Sequence, residues 1–352
     1  MENLKKLFEN KLLRTLLIAI VIIILIIIIA VIIVGNKNKG INNNLLKNAA
    51  IKYYNKHTGL LPKENYDSSK VNLSTLISTG YISENKEGAN CSSYVVVTKI
   101  NGEYIYTPFI NCDRDSKTLV SKLMQNIETT NDGLYNYNGS YIFRGENPNN
   151  YVMFAGVKWR IIGIDSSNNI KMVYSDKPFE YISWDDRYNN NKDNQVGIND
   201  YEISRLKEYL DNLYSKDIAE FNAERLSRLT KFSVCIGKVD MSQTNVDTCT
   251  KILDNQNASI ITVNDYMNAS LDPLCSTTNT KNCQNYNFLN QNNWTITADV
   301  NDTSKVYYID TYEGVKKTDA YMRKSIKPII ALRNDVLYHS GNGSLSDPYN
   351  IK

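Results

Sequence analysis

Histidine is almost absent from this chain, which contains two histidines in 352 residues. His57 lies at the predicted end of a helix, and His339 lies in a polar segment near the C-terminus. A Ser-His-Asp triad needs a histidine between a nucleophile and a carboxylate, and zinc sites need clustered histidines or thiolates. Two isolated histidines fit neither arrangement. The sequence therefore indicates no catalytic residues, no metal site and no cofactor.

The sequence also lacks the excess of positive charge that favours nucleic-acid binding. Residues 1–40 carry a net charge of +4 and the whole chain carries +3, so residues 41–352 sum to −1. Proteins that neutralise phosphates present a basic face. The nearly neutral remainder of the chain gives no electrostatic reason to expect a nucleic-acid partner.

One stretch near the N-terminus contains neither charge nor proline. It extends from Leu16 to Val34 with the sequence LLIAIVIIILIIIIAVIIV. This is long enough to cross a bilayer as a helix, and it is longer than the apolar part of a cleaved signal peptide. We predict a single-pass membrane anchor at 12–35, a cytoplasmic N-terminus at 1–11 and an extracytoplasmic remainder. The positive-inside rule sets this orientation through Lys5, Lys6, Lys11 and Arg14.

All six cysteines follow the predicted anchor, which favours disulfides in an oxidising compartment. In CSSYVVVTKINGEYIYTPFINC, Asn101-Gly102 lies midway between Cys91 and Cys112. Because Asn-Gly favours a two-residue hairpin turn, the two cysteines would face each other with Cα atoms about 4.5 Å apart. We predict a disulfide there and an edge strand around Pro108. The alternative is two unrelated buried thiols.

The remaining four cysteines offer no such register argument, and connectivity cannot be deduced from a cysteine count. Proximity along the chain favours the pairs Cys235–Cys249 and Cys275–Cys283. We take these two pairs as predictions from spacing alone.

The chain beyond the anchor divides into two predicted domains. A polar linker at 36–44 precedes a membrane-proximal α+β domain at 45–115, which contains two short helices and the hairpin. The segment SKTLVSKLMQNIETT predicts a connecting helix at 116–131, with Ser116 as its N-cap. A larger distal domain follows at 132–352.

The distal domain is predicted to be mostly β. NYVMFAGVKWRIIGID and SSNNIKMVYS predict a three-strand meander with turns at Ala155-Gly156 and Asn168-Asn169. NDYEISRLKEYLDNLYS predicts a helix in which Asn199 and Glu202 form a capping box. TVNDYMNAS predicts a shorter helix, NWTITADV, KVYYID and IKPIIALR predict later strands, and the C-terminus predicts a closing edge strand. Since βαβ alternation is absent, we predict an α+β fold with a mainly antiparallel sheet.

Two neighbouring residues in the meander are expected to differ in environment. Trp159 and Arg160 face opposite sides of their strand because side chains alternate. We expect Trp159 in the core and Arg160 in a surface or interdomain ion pair. Trp294 is also expected in the core.

Three distal segments carry a resemblance to a known family. Asn149–Gly163 contains Asn-Asn-Tyr-Val followed by Trp-Arg-Ile-Ile-Gly. Trp294–Ile296 is Trp-Thr-Ile, and Pro328–Tyr349 ends in Gly-x-Gly-x-x-x-x-Pro-Tyr. They resemble a family of uncharacterised membrane-anchored exoproteins of low-GC Gram-positive bacteria, in which an arginine stands where this chain has Lys327. The resemblance implies a surface location and no particular activity. The layout of anchor, helix and disulfide-closed sheet resembles pilin-like proteins, although the pattern that a prepilin peptidase recognises is missing.

The loop SWDDRYNNNKDNQ contains the best candidate binding residues. Adjacent carboxylates beside aromatic rings could contact a glycan, although a glycan-cleaving pair needs carboxyls about 5–9 Å apart. The same oxygens could hold calcium, but the spacing of a known calcium loop is missing. A solvent-exposed loop without a ligand is the structural alternative. The candidates are Trp184, Asp185, Asp186, Tyr188 and Asn189.

These observations favour an extracytoplasmic surface protein that acts as a non-catalytic binding or adhesion module. Cell-wall glycan or another surface protein is the expected partner. The 25 tyrosines against 8 phenylalanines suit a recognition surface, although an AT-rich genome produces the same bias. The alternatives are an envelope hydrolase that uses the loop carboxylates and a pilin-like assembly or secretion subunit.

We predict that Cys91 and Cys112 resist maleimide labelling in denatured, unreduced protein taken from the native host. Reduction should make both cysteines reactive, because a disulfide has no thiolate to attack the reagent. Mass spectrometry of the labelled peptides measures this. Free thiols at both positions before reduction would contradict the disulfide and the extracytoplasmic placement.

Overall fold

The computed structural model describes residues 41–83, 92–111, 117–176, 180–216, 219–244 and 249–352. Strands predominate in these ranges and the helices are short, which confirms a mostly β member of the α+β class. None of the helices in the described ranges has the length and apolar content to cross a membrane. The predicted anchor at 12–35 lies outside the described residues, as do Cys91 and Cys112.

The described α-helices are α1 (Asn43–Lys56), α2 (Leu73–Ser78), α3 (Leu119–Leu123), α4 (Arg205–Asp211), α5 (Ala223–Leu226) and α6 (Val263–Ala269). Apart from the 14-residue α1, they are short. Single 3₁₀ turns occur at Thr58–Leu60, Tyr201–Ile203, Leu213–Ser215 and Asn282–Gln284.

The first ten strands lie before residue 231. They are β1 (Ser68–Asn72), β2 (Tyr94–Ile100), β3 (Glu103–Phe109), β4 (Gly133–Tyr137), β5 (Ser140–Arg144), β6 (Tyr151–Phe154), β7 (Val157–Ile164), β8 (Ile170–Tyr174), β9 (Glu180–Ser183) and β10 (Leu229–Thr230). The later strands are β11 (Phe232–Cys235), β12 (Lys238–Val239), β13 (Ile252–Gln256), β14 (Asn293–Asp299), β15 (Lys305–Asp310), β16 (Gly314–Asp319), β17 (Arg323–Ile326), β18 (Ile329–Leu332), β19 (Tyr338–Ser340) and β20 (Tyr349–Ile351).

The described residues form two compact units that interleave along the sequence. The first unit consists of 41–58, 71–83, 92–95 and 108–111. The second unit consists of 59–70, 96–107 and the described residues from 117 onward. The domain limits expected at 45–115 and 132–352 stay a prediction.

In the first unit, α1 has a buried face and a side-chain cap at each end. The Asn42 side chain accepts a hydrogen bond from the backbone N of Leu45 at 3.0 Å. Leu46, Ala49 and Tyr54 are buried along one face, as their helical spacing predicts. The helix ends at His57, whose ring Nδ1 lies 2.8 Å from the Tyr53 carbonyl oxygen. His57 is therefore a helix cap, as its position in the sequence indicates.

The hairpin of β2 and β3 has the predicted turn and register. Asn101 and Gly102 have φ angles of 51° and 86°, which a two-residue hairpin turn requires. The backbone N of Ser92 donates to the Asn111 carbonyl at 2.8 Å, and these residues are equally far from the turn. Strand β3 is an edge of the sheet β1-β2-β3, as Pro108 requires. The Cys91–Cys112 disulfide lies outside the described residues and stays a prediction.

The second unit is built on a nine-stranded sheet. Its order is β10-β18-β8-β7-β6-β20-β19, and the hairpin β4–β5 joins it through β7. The predicted meander of β6, β7 and β8 is confirmed, with positive φ at Ala155 (52°) and Asn168 (63°) in its two turns. A four-stranded sheet, β12-β14-β15-β16, and two strand pairs, β11–β13 and β9–β17, complete the unit.

The C-terminal strand differs from the predicted closing edge. Strand β20 runs parallel to β6 and lies between β6 and β19. The Gly-x-Gly turn makes this insertion possible, because a Cβ on Gly343 would collide with the Asn149 carbonyl oxygen and the Tyr349 ring. The carbonyl of Gly343 also accepts from the Tyr151 backbone N at 2.8 Å. The closing Gly-x-Gly motif therefore allows β20 to insert between β6 and β19.

Two predicted helices are shorter than expected. The connecting helix spans only α3 and is capped by the Thr118 side chain, while Ser116 lies outside the described residues. The helix predicted from Asn199 begins instead at α4, where Ser204 caps the backbone N of Lys207 at 3.0 Å. The Asn199 side-chain oxygen accepts a hydrogen bond from Lys238 Nζ at 2.7 Å, so it is not free to cap a helix. The Asn199 side-chain nitrogen lies 2.7–2.9 Å from three carbonyl oxygens. Those carbonyls belong to Asp299, Asp302 and Lys305.

The core of the second unit contains both tryptophans that were expected there. Trp159 and Trp294 are fully buried. The expectation for Arg160 was wrong, since it is only 7% exposed and forms no ion pair with any residue that the structure describes. Its guanidinium lies 4.6 Å from the Tyr151 ring centroid and 4.5 Å from that of Phe288. Aromatic faces flank this cation, and Asp132 acts on it electrostatically without forming an ion pair.

Two disulfides are present in the described residues. Cys235 pairs with Cys249 at a Cα–Cα distance of 5.3 Å, and Cys275 pairs with Cys283 at 4.5 Å. Both distances lie within the range of ordinary disulfides. The two pairings predicted from spacing are confirmed.

Candidate functional site

The loop predicted to bind a ligand does not form one exposed surface. Trp184 is fully buried and its Nε1 donates to the Thr295 carbonyl at 3.0 Å. Asn189 is 2% exposed, and its side chain donates to the carbonyls of Gly197 at 2.8 Å and Thr303 at 3.2 Å. These two side chains hold the loop together from within. They have no face left for a ligand.

Asp185 is also buried, and its carboxylate is saturated with hydrogen bonds. It accepts from Arg187 through the backbone N, Nε and Nη2, the last at 2.6 Å. It also accepts from the backbone N of Ile198 at 3.0 Å and that of Arg205 at 3.3 Å. A carboxylate has about four acceptor sites, so no site remains for a substrate proton or a calcium ion.

Only two of the five candidates are accessible. Asp186 is exposed and forms an ion pair with Arg205 at 3.3 Å. Tyr188 is 51% exposed, and its hydroxyl donates to the Asp193 carboxylate. The predicted arrangement of paired carboxylates beside an aromatic platform is therefore wrong, because Trp184 and Asp185 are used as internal structure.

The second unit contains a polar groove of about 680 Å³. It is lined by residues within 64–68, 229–231, 255–257 and 333–334, together with Asn169, Tyr214 and Leu226. We call this the asparagine groove because four asparagines line it. They are Asn169, Asn255, Asn257 and Asn334.

Two residues of the asparagine groove have left-handed backbone conformations. Tyr66 has φ of 66° and Asn255 has φ of 59°. Asparagine adopts this region several times more often than most residues, whereas a bulky tyrosine rarely does. Such strained positions cluster at ligand sites, where the surrounding structure holds them. The unusual backbone at Tyr66 is a second reason, besides volume, to regard the groove as a functional site.

The aromatic and amide groups of the groove are partly fixed and partly available. The Tyr214 hydroxyl donates to the Asn257 carbonyl oxygen at 2.7 Å. The Tyr66 and Tyr214 rings meet edge to face, with centroids 5.4 Å apart. Within the described part of the chain, the side-chain amides of Asn255 and Asn257 form no hydrogen bond. Each can donate to and accept from a ligand.

The charges of the groove balance. Two anionic side chains, Glu64 and Asp67, and two cationic ones, Lys231 and Arg333, line it. Lys231 forms an ion pair with Asp67, and Arg333 binds the Asp335 carboxylate at 2.7 Å. The formal charges of the lining therefore sum to zero, and Glu64 is the lining charge that has no ion pair in the described residues.

The Asp335 carboxylate binds two cations, Lys70 and Arg333, and Arg333 lines the groove. The carboxylate lies 2.7 Å from Lys70 Nζ and 2.7 Å from Arg333 Nη2. Burial alone would raise the pKa of Asp335, but hydrogen bonds and charge from Arg333 and Lys70 outweigh it and lower the pKa to about 2.

This groove was not predicted from the sequence. Its lining comes from segments separated by up to 270 positions, from Glu64 to Asn334. The visible signal is the Asn168-Asn169 turn, which was predicted only as a turn. The side-chain amide of Asn334, which also lines the groove, donates to the Ser167 carbonyl oxygen at 2.9 Å and so connects this turn to another part of the lining.

The comparisons with known proteins identify no relative. No protein-family model, curated protein or solved structure matches the chain. Function is therefore argued from the geometry of the groove.

We predict that Asp185→Asn lowers the free energy of unfolding by about 3 kcal/mol, because it leaves a buried, charge-paired site incomplete. Asp186→Asn is the matched control, and it should change stability by less than about 1 kcal/mol because its ion pair is exposed. Urea denaturation of the full chain measures both. Equal stability of the two variants would show that Asp185 is not a structural carboxylate.

We predict that Asp335→Asn removes about 1–2 kcal/mol of stability at neutral pH and flattens the acid limb of the stability curve. A carboxylate with a depressed folded pKa contributes stability above its unfolded pKa of about 3.9. That contribution is lost as the pH falls towards about 2. Denaturation curves between pH 6 and pH 2 measure it, with exposed Glu103→Gln as control. An unchanged pH profile in Asp335→Asn would contradict this.

Proposed function

We propose that the protein is a membrane-anchored, extracytoplasmic binding module whose asparagine groove takes a neutral, hydroxyl-rich ligand such as a short wall glycan. The observation that carries this proposal is a groove of about 680 Å³ with balanced charges and unpaired amides. Ligand sites commonly measure about 300–1,000 Å³. The groove has the size and polarity for a short oligosaccharide.

The chemistry of the lining favours hydroxyl groups as partners. A side-chain amide offers two donors and a carbonyl acceptor, so it can bind a hydroxyl in either direction. Tyr66 adds a partly apolar ring with a polar tip, a combination common at recognition surfaces. Neutral amides also leave no excess charge to bind phosphates. The groove therefore suits neutral glycans better than anionic wall polymers or nucleic acids.

The envelope-hydrolase alternative lacks a suitable acid and base. Asp185 has no free oxygen, and Asp186 is exposed beside Arg205. Of the two groove carboxylates, Asp67 is ion-paired with Lys231. A glycan-cleaving enzyme needs one carboxyl group held protonated and a second one ionised across the substrate. Binding without catalysis is the better supported function.

Placement outside the cytoplasm is part of the same proposal. The disulfides Cys235–Cys249 and Cys275–Cys283 are typical of an oxidising compartment. The apolar stretch at 12–35 supports a single transmembrane helix, a small membrane-proximal domain and a larger distal domain. The resemblance to anchored Gram-positive exoproteins supports the same placement.

The proposal predicts that Asn257→Ala weakens binding of a neutral wall oligosaccharide about fivefold, since one net hydrogen bond contributes about 1 kcal/mol. Calorimetry on the full chain in detergent measures this, using neutral and phosphate-bearing wall fragments. The control is Asn44→Ala, which changes an exposed asparagine of α1.

Two outcomes would overturn the groove as the site. One is that neither class of fragment binds. The other is that Asn257→Ala and Asn44→Ala bind with the wild-type affinity. Tighter binding of the phosphate-bearing fragments, lost in Asn257→Ala, would keep the site and change the ligand class.

A further inference from the structure

Two cations line one small cavity on the nine-stranded sheet. Arg160 lies opposite Val173 in the neighbouring strand, and Val173 lies opposite Ile329 in the next one. Residues opposite each other across a sheet share a face. Lys327 precedes Ile329 by two positions and lines the same cavity as Arg160. The sheet register thus brings the two cations together.

The guanidinium of Arg160 is held from both sides and along one edge. The Tyr151 and Phe288 rings flank it at 4.6 Å and 4.5 Å. Its Nε donates to the Asn150 side-chain oxygen at 2.8 Å, and its Nη2 lies 3.5 Å from the Pro148 carbonyl oxygen. None of these partners carries a full negative charge.

Lys327 has no compensating partner either. Its ammonium forms no hydrogen bond or ion pair within the part of the chain that the structure describes. Burial and the nearby Arg160 charge together lower its pKa to about 8, although the charge of exposed Asp176 acts in the opposite direction. Arg160 is buried and Lys327 is half-buried, and buried cations in proteins are almost always paired.

The rest of the cavity lining is neutral. It includes the polar side chains of Ser175, Gln291 and Asn293, and no aspartate or glutamate. The cavity has room for about one water-sized group. The space is therefore too small for a phosphate ester or a peptide, but it fits one monatomic anion or the tip of one carboxylate.

We propose that this cavity is an anion site, in which a chloride ion or a single carboxylate group lies between the Arg160 guanidinium and the Lys327 ammonium. The anion supplies the negative charge that the surrounding side chains lack. It also joins β7 to the segment between β17 and β18, so its binding stabilises the sheet. This site is separate from the asparagine groove and does not depend on the function proposed for it.

The experiment compares thermal unfolding of the full chain in sodium chloride, sodium acetate and sodium methanesulfonate at equal ionic strength. The sulfonate is the reference because its tetrahedral head group is bulkier than a chloride ion or the planar carboxylate tip of acetate. In the wild type, chloride or acetate should raise Tm by about 3 °C above the reference. A response to chloride alone indicates an inorganic ion, and a response to acetate indicates a carboxylate ligand.

Three variants make the test specific. Lys327→Met should lose the anion response, and in methanesulfonate it should be at least as stable as wild type because the repulsion with Arg160 is gone. Lys327→Arg keeps the charge and should keep the response. Lys316→Met removes an exposed lysine on β16 and should respond like wild type.

Two outcomes would overturn the anion site. One is an equal Tm for the wild type in all three salts, and the other is a full response in Lys327→Met. If Lys327→Met does not fold, chloride-35 NMR decides on the wild type. Line broadening that acetate reverses supports the site, whereas no broadening together with no acetate effect on Tm rejects it.

Discussion

The pairing of β7 along both of its edges is the constraint on which the second unit depends. Strand β8 pairs with one edge of β7, while β6 and β5 share the other edge. A strand paired in this way must be apolar on its buried faces, and Trp159 and Ile161 are fully buried. The same strand carries Arg160 into the interior. The next strand, β8, begins directly after Asn169, which lies in the turn between β7 and β8 and lines the asparagine groove.

Several asparagines in this chain are buried and serve as internal structure. The buried amides of Asn150, Asn189 and Asn199 all donate to backbone carbonyls. Irregular segments contain backbone groups that no strand or helix satisfies, and a short amide side chain can satisfy them. This explains why the loop after Trp184 folds inward although its composition is polar. Richness in asparagine is therefore not by itself evidence of a recognition surface.

Local patterns in the sequence predicted local structure well. The Asn101-Gly102 turn, the meander around Ala155 and Asn168, and the disulfides Cys235–Cys249 and Cys275–Cys283 depend on residues close in the chain. The burial of Arg160 and the asparagine groove depend on contacts between distant segments, which alternation and spacing do not encode. The insertion of β20 beside β6 is of the same kind, since its glycine turn indicates a bend without indicating its partner strand.

Charged side chains of the second unit are ion-paired to different extents in the asparagine groove and in the cavity beside Arg160, and this difference affects which ligands each can bind. In the asparagine groove, Asp67 and Asp335 neutralise Lys231 and Arg333, so the lining groups without an ion pair in the described residues are neutral amides and the Glu64 carboxylate. In the cavity beside Arg160, the lining contains no carboxylate, so the attraction for an anion is not cancelled. A neutral ligand in the groove would be bound by hydrogen bonds and would depend little on salt, because screening acts on charges. An anion in the cavity would depend directly on which salt is present. The two sites can thus be distinguished in one protein by ionic composition alone, without altering either site.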